Sequence, residues 1–182
     1  MSYQTAVSGW HDFYLLAGTA SATLVGLLFV GLSLHLRIVV TSSQVRSLAR
    51  VTLANFGAVL FVALFMVIPE GQSAAASQII GAGVVSLIII APSLVAAGRS
   101  RAWTLEMRRV ERARLVLRFG LSTASYLAII VAGVLLFSSR SSAFAWLATA
   151  TVILLVVSLR NTWDLLVTVG DVTLGGDPTG AR

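Results

Sequence analysis

Five long apolar segments, separated by short connections that carry most of the charge, dominate this sequence. They lie at about 13–36, 51–69, 74–97, 115–137 and 143–169. A helix over the first segment is about 36 Å long, enough to cross a bilayer core of ~30 Å with some tilt. Charged residues make up only 11% of the chain, against roughly 25% in soluble domains. The pattern predicts an all-α membrane protein in which residues 1–170 form a bundle of about five transmembrane helices and residues 171–182 form a flexible tail.

The arginines predict the orientation. All 13 basic residues are arginine, and with five spans every one except Arg140 falls on the same side of the membrane. Short basic loops stay in the cytoplasm, so we expect the N-terminus outside and the C-terminus inside, in a plasma membrane. If the fifth segment only enters the interface, the C-terminus moves to the outside.

The connection before the fourth segment is basic and amphipathic at 99–114. On a helix, the side of Trp103 differs from that of most of its arginines, a pattern typical of segments that lie on a cytoplasmic membrane surface with anionic lipid as partner. A nucleic-acid partner would need a larger basic surface and is not expected. The residues predicted to contact lipid are Arg101, Trp103, Arg108, Arg109 and Arg112.

Two segments carry small residues at a spacing of four. The first has Gly18, Ala22 and Gly26, and the fourth has Gly120, Ala124, Ala128 and Ala132. Small residues at this spacing let two helix backbones approach closely in a membrane. Such faces indicate either self-association or packing inside one protomer, and a five-helix bundle has many internal contacts.

Polar positions inside the apolar segments are the remaining candidates for function. Asn55 lies about one turn inside the second segment, and a buried amide needs a partner there. It either contacts an ion or substrate or bonds a neighbouring helix. On the fourth segment, Ser122, Ser125 and Tyr126 form a polar stripe.

A charged group follows the apolar part of the fifth segment. Arg160 and Asp164 are four residues apart, so on a continuous helix they share a face and can pair, with Asn161 beside them. If the helix continues, this group lies within the bilayer, where ionisable residues indicate a functional site. If the helix ends at Leu159, the same residues lie at the cytoplasmic surface.

Catalytic and metal-binding patterns are not found in the sequence. The chain has no cysteine and only two histidines, which lack the helical spacing of metal ligands, and no HExxH, GxSxG or phosphate-loop pattern occurs. We therefore expect a protein that is not an enzyme and that uses no cofactor or metal.

Three stretches, WHDFYLLAGTASATLVGLLFVGLSL at 10–34, PEGQ at 69–72 and RNTWDLLV at 160–167, are similar to those of a family of small bacterial membrane proteins of unknown function. The resemblance follows their order and spacing along most of the chain. Members of that family are sometimes labelled modulators of a membrane protease. The resemblance implies a helical bundle in a bacterial plasma membrane and carries over no catalytic residue.

These observations favour a non-enzymatic membrane protein that acts by helix–helix assembly with itself or with another membrane protein. The alternative is a small-ion channel formed by a homo-oligomer, with Asn55, Ser122, Ser125 and Tyr126 near the pore. A secondary transporter has less support, because the sequence shows no inverted repeat and no pair of broken helices.

Overall fold

The structure, a computed structural model, describes residues 3–101, 119–138 and 142–175, and no strand occurs in these ranges. The described helices are α1 (Tyr3–Leu34), α2 (Leu36–Thr41), α3 (Ser43–Val67), α4 (Gln72–Arg101), α5 (Leu121–Phe137) and α6 (Ser142–Gly175). The predicted all-α bundle is confirmed.

Four of these helices form a ring in which each packs against the next. α3 packs on α4, α4 on α5, α5 on α6, and α6 closes the ring on α3. Consecutive helices run in opposite directions: α3–α4 and α5–α6 have short connections, and for α4 and α5 Gly83 lies against Ile130 whereas Ile80 lies against Gly133. α1 lies outside the ring, mainly against α3, with a smaller contact on α6. As a result α3 and α5 lie on one diagonal of the ring, and α4 and α6 on the other.

The ring has two chemically different ends. We call the end that holds the α1–α3 connection the arginine-rich end, because Arg37, Arg46 and Arg50 are exposed there. The arginine-poor end holds the α3–α4 connection and the start of α6. Here Tyr3 lies beside Phe144, with their ring centroids 6.1 Å apart.

The connection between α1 and α3 is itself helical, which the sequence analysis did not predict. α1 stops at Leu34, His35 forms a turn, and α2 follows. Ser42 then caps α3, because its hydroxyl accepts a hydrogen bond from the Val45 N–H at 3.3 Å. α3 therefore begins at Ser43 and not near residue 51.

Other helices also extend past their apolar segments. α4 continues through Pro92 to Arg101, and α6 continues through Arg160 and Asp164 to Gly175. The possibility that the last helix ends at Leu159 is therefore wrong. Hydropathy marks only the apolar part of a helix, whereas backbone hydrogen bonding continues as long as each residue tolerates the conformation.

Four helices contain stretches that are long and apolar enough to cross a membrane: Tyr3–Leu34, Val45–Val67, Gln72–Val95 and Ser142–Val167. The apolar helix Leu121–Phe137 is shorter, with 17 residues, and residues 102–118 lie outside the described residues. The central helix α3 has 56% of its apolar window buried, whereas α1 has 22%. Most of α1 therefore faces away from the protein.

Candidate functional site: a polar cluster at the centre of the bundle

A hydrogen-bonded cluster joins α3 to α5 across the diagonal of the ring. Asn55 Nδ2 donates to Ser122 Oγ at 3.1 Å, and the Tyr126 hydroxyl donates to Asn55 Oδ1 at 2.5 Å. Ser122 and Tyr126 are one turn apart on α5, so one side chain of α3 engages two of α5. All three residues are fully buried. We call them the central polar cluster.

The partners of Asn55 explain why an amide is tolerated at this position. Burying an unpaired amide costs about 2–7 kcal/mol, and here both ends of the carboxamide are bonded. Because α3 begins at Ser43, Asn55 lies about three turns into its helix, deeper than the one turn expected from the sequence. Asn55 thus bonds a helix on the opposite side of the ring.

Three further polar side chains are buried in α5 and α6. Ser125 Oγ, Ser158 Oγ and Asn161 Nδ2 find no hydrogen-bond partner among the described residues. The three residues are 3%, 0% and 2% exposed, respectively. Ser125 is next to Tyr126 on α5, whereas Ser158 and Asn161 lie one turn apart on α6. The sequence does not indicate Ser158, because a lone serine in an apolar run carries no signal of its burial.

The polar group at 160–164 of α6 is partly exposed and partly buried. Arg160 and Asp164 are exposed, whereas Asn161 between them is buried. This follows from helical periodicity, since Asn161 shares its face with Leu165 and Val169, and both are buried against α3 and α1. Arg160 and Asp164 are therefore not part of the polar interior.

Polar contacts also hold the arginine-poor end together. Gln72 Nε2 donates to the carbonyl of Leu136 at 2.5 Å, which ties the start of α4 to the end of α5. Gln78 Nε2 donates to Glu70 Oε2 at 2.7 Å. Two residues of the PEGQ stretch, Glu70 and Gln72, thus fix a connection between helices.

The small-residue face of α1 packs against α3 at one position and is exposed at the other two. A Cβ atom built on Gly18 would lie 2.9 Å from Ala63 Cβ, so Gly18 packs tightly against α3. Ala22 and Gly26 are exposed, and a Cβ on Gly26 would meet no described atom within 4 Å. Only the first residue of this face is used inside the protomer.

The small-residue face of α5 changes its surroundings along the helix. Gly120 and Ala124 are exposed, Ala128 is half-buried and Ala132 is buried. A close approach of α5 to α4 occurs instead at Gly133, where an added Cβ would lie 2.6 Å from Ile80 Cγ1. Gly83 of α4 is equally close to Ile130 of α5, at 2.6 Å. The sequence does not indicate this pair, because the two glycines lie on different helices and neither belongs to a run of small residues spaced by four.

Most of the predicted lipid-binding residues are not among those that the structure describes. Trp103, Arg108, Arg109 and Arg112 lie outside the described residues, and only the backbone of Arg101 is described, at the end of α4. No group of three or more His, Cys, Asp or Glu residues that could hold a metal is found in the described ranges.

Long apolar helices around a buried, uncharged polar cluster define the class of this chain: it is an all-α membrane protein. No protein-family model matches the chain, and no match is found among curated proteins or among solved structures.

Proposed function

We propose that the chain is a non-enzymatic protein of the bacterial plasma membrane that acts by assembling with other membrane helices through the outward face of α1. We propose further that its N-terminus is outside and its C-terminus is in the cytoplasm. The partner is a second copy of the chain or a different membrane protein. The observation that carries this proposal is the residue pattern on the exposed side of α1.

The exposed side of α1 carries a heptad-like pattern. Its residues alternate in spacing between four and three, which is the spacing of helices that pack side by side with a left-handed twist. All of them are exposed in the protomer. We call this set the α1 outer stripe: Leu15, Thr19, Ala22, Gly26, Phe29 and Ser33.

Four of the six residues in the α1 outer stripe are small. Lipid tails are as apolar as leucine, so membrane helices associate mainly by close packing, which small residues permit. Ala22 and Gly26 have the spacing of the small-xxx-small pattern and lie at its middle. The stripe therefore supports close approach by another helix.

The hydroxyls of the stripe are already bonded within α1. Thr19 Oγ1 donates to the Leu15 carbonyl at 2.8 Å, and Ser33 Oγ donates to the Val30 carbonyl at 2.8 Å. Both hydroxyls therefore keep their hydrogen bonds when a partner helix buries them. Shape, more than hydrogen bonding, would select the partner.

A channel between protomers has less support than assembly. Asn55, Ser122, Ser125 and Tyr126 are buried within one protomer. A pore between copies is lined by surfaces that a single protomer exposes, so these four side chains would need to leave the bundle interior to reach it.

Cysteine cross-linking tests the proposed assembly, because the chain has no cysteine of its own. Ala22→Cys and Gly26→Cys place single thiols in the α1 outer stripe. Val85→Cys places a matched thiol on the exposed side of α4. In native membranes under mild oxidation, the stripe variants should form disulfide-linked dimers and the α4 variant should not.

The subunit number in lipid nanodiscs, measured by native mass spectrometry, provides the second measurement. A closed oligomer supports assembly between copies. A monomer, together with equal cross-linking at α1 and α4, would contradict self-assembly. Pull-down of a membrane partner that is lost in Gly26→Leu but kept in Val85→Leu would then identify assembly with a different protein.

A further inference from the structure

The side of α3 that faces away from the ring carries two arginines followed by apolar residues. Asn55 points toward α5, and Arg46 and Leu64 are each nine residues from it. Nine residues are about 2.5 turns, so both lie on the opposite side of the helix. Residues between them at spacings of four and three share that side. We call this set the α3 outer stripe: Arg46, Arg50, Leu53, Gly57, Leu60 and Leu64.

The α3 outer stripe is the floor of a groove between α1 and α4. Both helices pack on α3 but make little contact with each other. α1 meets α3 at Ala63, and α4 meets it at Ser47, whose hydroxyl donates to Ser93 Oγ at 3.4 Å. The two arginines and Leu64 are exposed, and the three residues between them are half-buried. A Cβ on Gly57 would meet no described atom within 4 Å, so the groove is open at its middle.

Arg50 places a positive charge inside the apolar span of α3. The span is Val45–Val67, so Arg50 lies about 7.5 Å beyond its start. Between Asp12 and Glu106 the sequence has a single acidic residue, Glu70, which lies at the arginine-poor end. The helices beside the groove therefore offer Arg50 no carboxylate at its own end. A charge that faces lipid inside a span is costly and extends toward the headgroups, where the nearest anions are phosphates.

Arg46 lies one turn before Arg50 and is held by α2. Its Nη2 donates to the Val40 carbonyl at 2.6 Å. A guanidinium has five N–H donors in a planar fork that matches phosphate geometry, so Arg46 keeps donors for a second acceptor. At a spacing of four, Arg46 and Arg50 share one side of α3. Two arginines in this arrangement are suited to bind one phosphate group.

The apolar part of the stripe fits acyl chains. It runs from Leu53 to Leu64, about 16 Å, which is close to one leaflet, or half of a hydrocarbon core of ~30 Å. An apolar helix along the whole stripe would cover Arg50 without supplying an opposite charge, which is unfavourable. A phospholipid supplies both a phosphate for the arginines and chains for the leucines. A zwitterionic headgroup would add a cation beside two arginines, so an anionic headgroup is favoured.

We propose that the α3 outer stripe binds one anionic phospholipid from the leaflet at the arginine-rich end. The phosphate lies between Arg46 and Arg50, and an acyl chain lies over Gly57. This site is separate from the basic segment at 99–114. It also lies within one protomer, so it does not depend on assembly through the α1 outer stripe.

Lipid retention tests the headgroup contact. Native mass spectrometry counts the lipids that stay on the protein after release from nanodiscs with equal amounts of phosphatidylglycerol, which is anionic, and phosphatidylcholine, which is zwitterionic. The parent protein should retain phosphatidylglycerol preferentially. Arg50→Gln should lower that retention at least about tenfold, because hydrogen bonds between charged groups are lost.

Arg160→Gln is the matched control for Arg50→Gln. Arg160 is also exposed within an apolar span, but Asp164 lies one turn later on the same helix and provides an acidic neighbour. This variant should retain as much phosphatidylglycerol as the parent protein. Equal melting temperatures of the variants and the parent ensure that retention reports on the folded bundle.

Gly57 tests the acyl-chain contact separately. Gly57→Leu fills the open middle of the groove and should lower phosphatidylglycerol retention with both arginines still present. Gly81→Leu is the matched control, because Gly81 of α4 also has no described atom within 4 Å of an added Cβ. It should leave retention unchanged.

Three results would overturn the proposal. Equal retention of the two lipids by the parent protein would mean that the stripe does not select an anionic headgroup. Equal losses in Arg50→Gln and Arg160→Gln would mean that lipid responds to surface charge in general. If Gly57→Leu retains as much lipid as Gly81→Leu, the chains do not lie in the groove.

Discussion

The hydroxyl of Tyr126 bonds the carboxamide oxygen of Asn55 across the diagonal of the helix ring. α3 and α5 are not neighbours in the ring, and within the ring each packs on α4 and α6. The bond therefore connects two helices through the centre of the bundle, where apolar packing alone would allow several rotations of α5. Ser122, which accepts from the other end of the same carboxamide, fixes the orientation of Asn55.

Removing the Tyr126 hydroxyl should destabilise the bundle. Tyr126→Phe leaves Asn55 Oδ1 buried without its donor, and an unsatisfied buried group costs about 1–3 kcal/mol. Reversible unfolding in bicelles by a denaturing detergent measures the change. Tyr14→Phe is the control, because the Tyr14 hydroxyl bonds the Phe144 carbonyl at a long distance of 3.4 Å and should contribute less.

A double-mutant cycle separates this bond from simple packing. The coupling between Asn55→Leu and Tyr126→Phe should be about 0.6–1.7 kcal/mol, the range for hydrogen bonds between membrane helices. If the two changes in the free energy of unfolding simply add, the Asn55–Tyr126 bond does not contribute to stability, and the account of the central polar cluster is wrong.

The contact between α4 and α5 should be intolerant of a single methyl group. In Gly83→Ala the new Cβ would lie 2.6 Å from Ile130 Cγ1 and 3.2 Å from the Tyr126 carbonyl oxygen, and overpacking of this kind costs about 1–3 kcal/mol. Gly81→Ala, two residues away on α4, meets no described atom within 4 Å. It should be neutral or stabilising, by up to about 1 kcal/mol. Equal melting temperatures for the two variants would contradict the close approach of α4 and α5.

The proposed orientation predicts which end of the bundle is accessible from outside the cell. Gly9 and Ser43 are both exposed and lie at the arginine-poor and the arginine-rich end, respectively. A membrane-impermeant maleimide on intact cells should label Gly9→Cys and not Ser43→Cys, because short basic loops stay in the cytoplasm. Both variants should react after permeabilisation. The reverse pattern on intact cells would mean that the protein has the opposite orientation.

Hydropathy predicted the helices well because a membrane span needs a long apolar run, and each predicted segment overlaps a described helix. It placed the start of α3 too late, because Arg46 and Arg50 interrupt the apolar run although Ser42 already caps the helix. It did not predict α2, a helix of six residues with few sequence constraints. Hydropathy identifies the part of a helix that is apolar enough to contact lipid. It does not indicate the residue at which the hydrogen-bonded helix begins.

The candidate site was only partly predictable, for a different physical reason. Asn55 stands out in the sequence because an amide is rare in an apolar run. Ser158 and Gly83 do not, because serine and glycine are common in membrane helices and their importance comes from the helix that faces them. The sequence gives the spacing of residues along one helix. The rotation of each helix relative to its neighbours results instead from packing of the whole ring.

Gly18 and Gly26 allow the two roles of the α1 face to be separated. Gly18→Val should lower the free energy of unfolding by about 1–3 kcal/mol, because its Cβ would lie 2.9 Å from Ala63 Cβ of α3. Gly26→Val has open space and should leave the unfolding of the protomer nearly unchanged. If the α1 outer stripe mediates assembly, Gly26→Val should instead lower the oligomer fraction measured by native mass spectrometry in nanodiscs. Should Gly26→Val leave that fraction unchanged while Gly18→Val destabilises the protomer, the small residues of α1 serve internal packing alone.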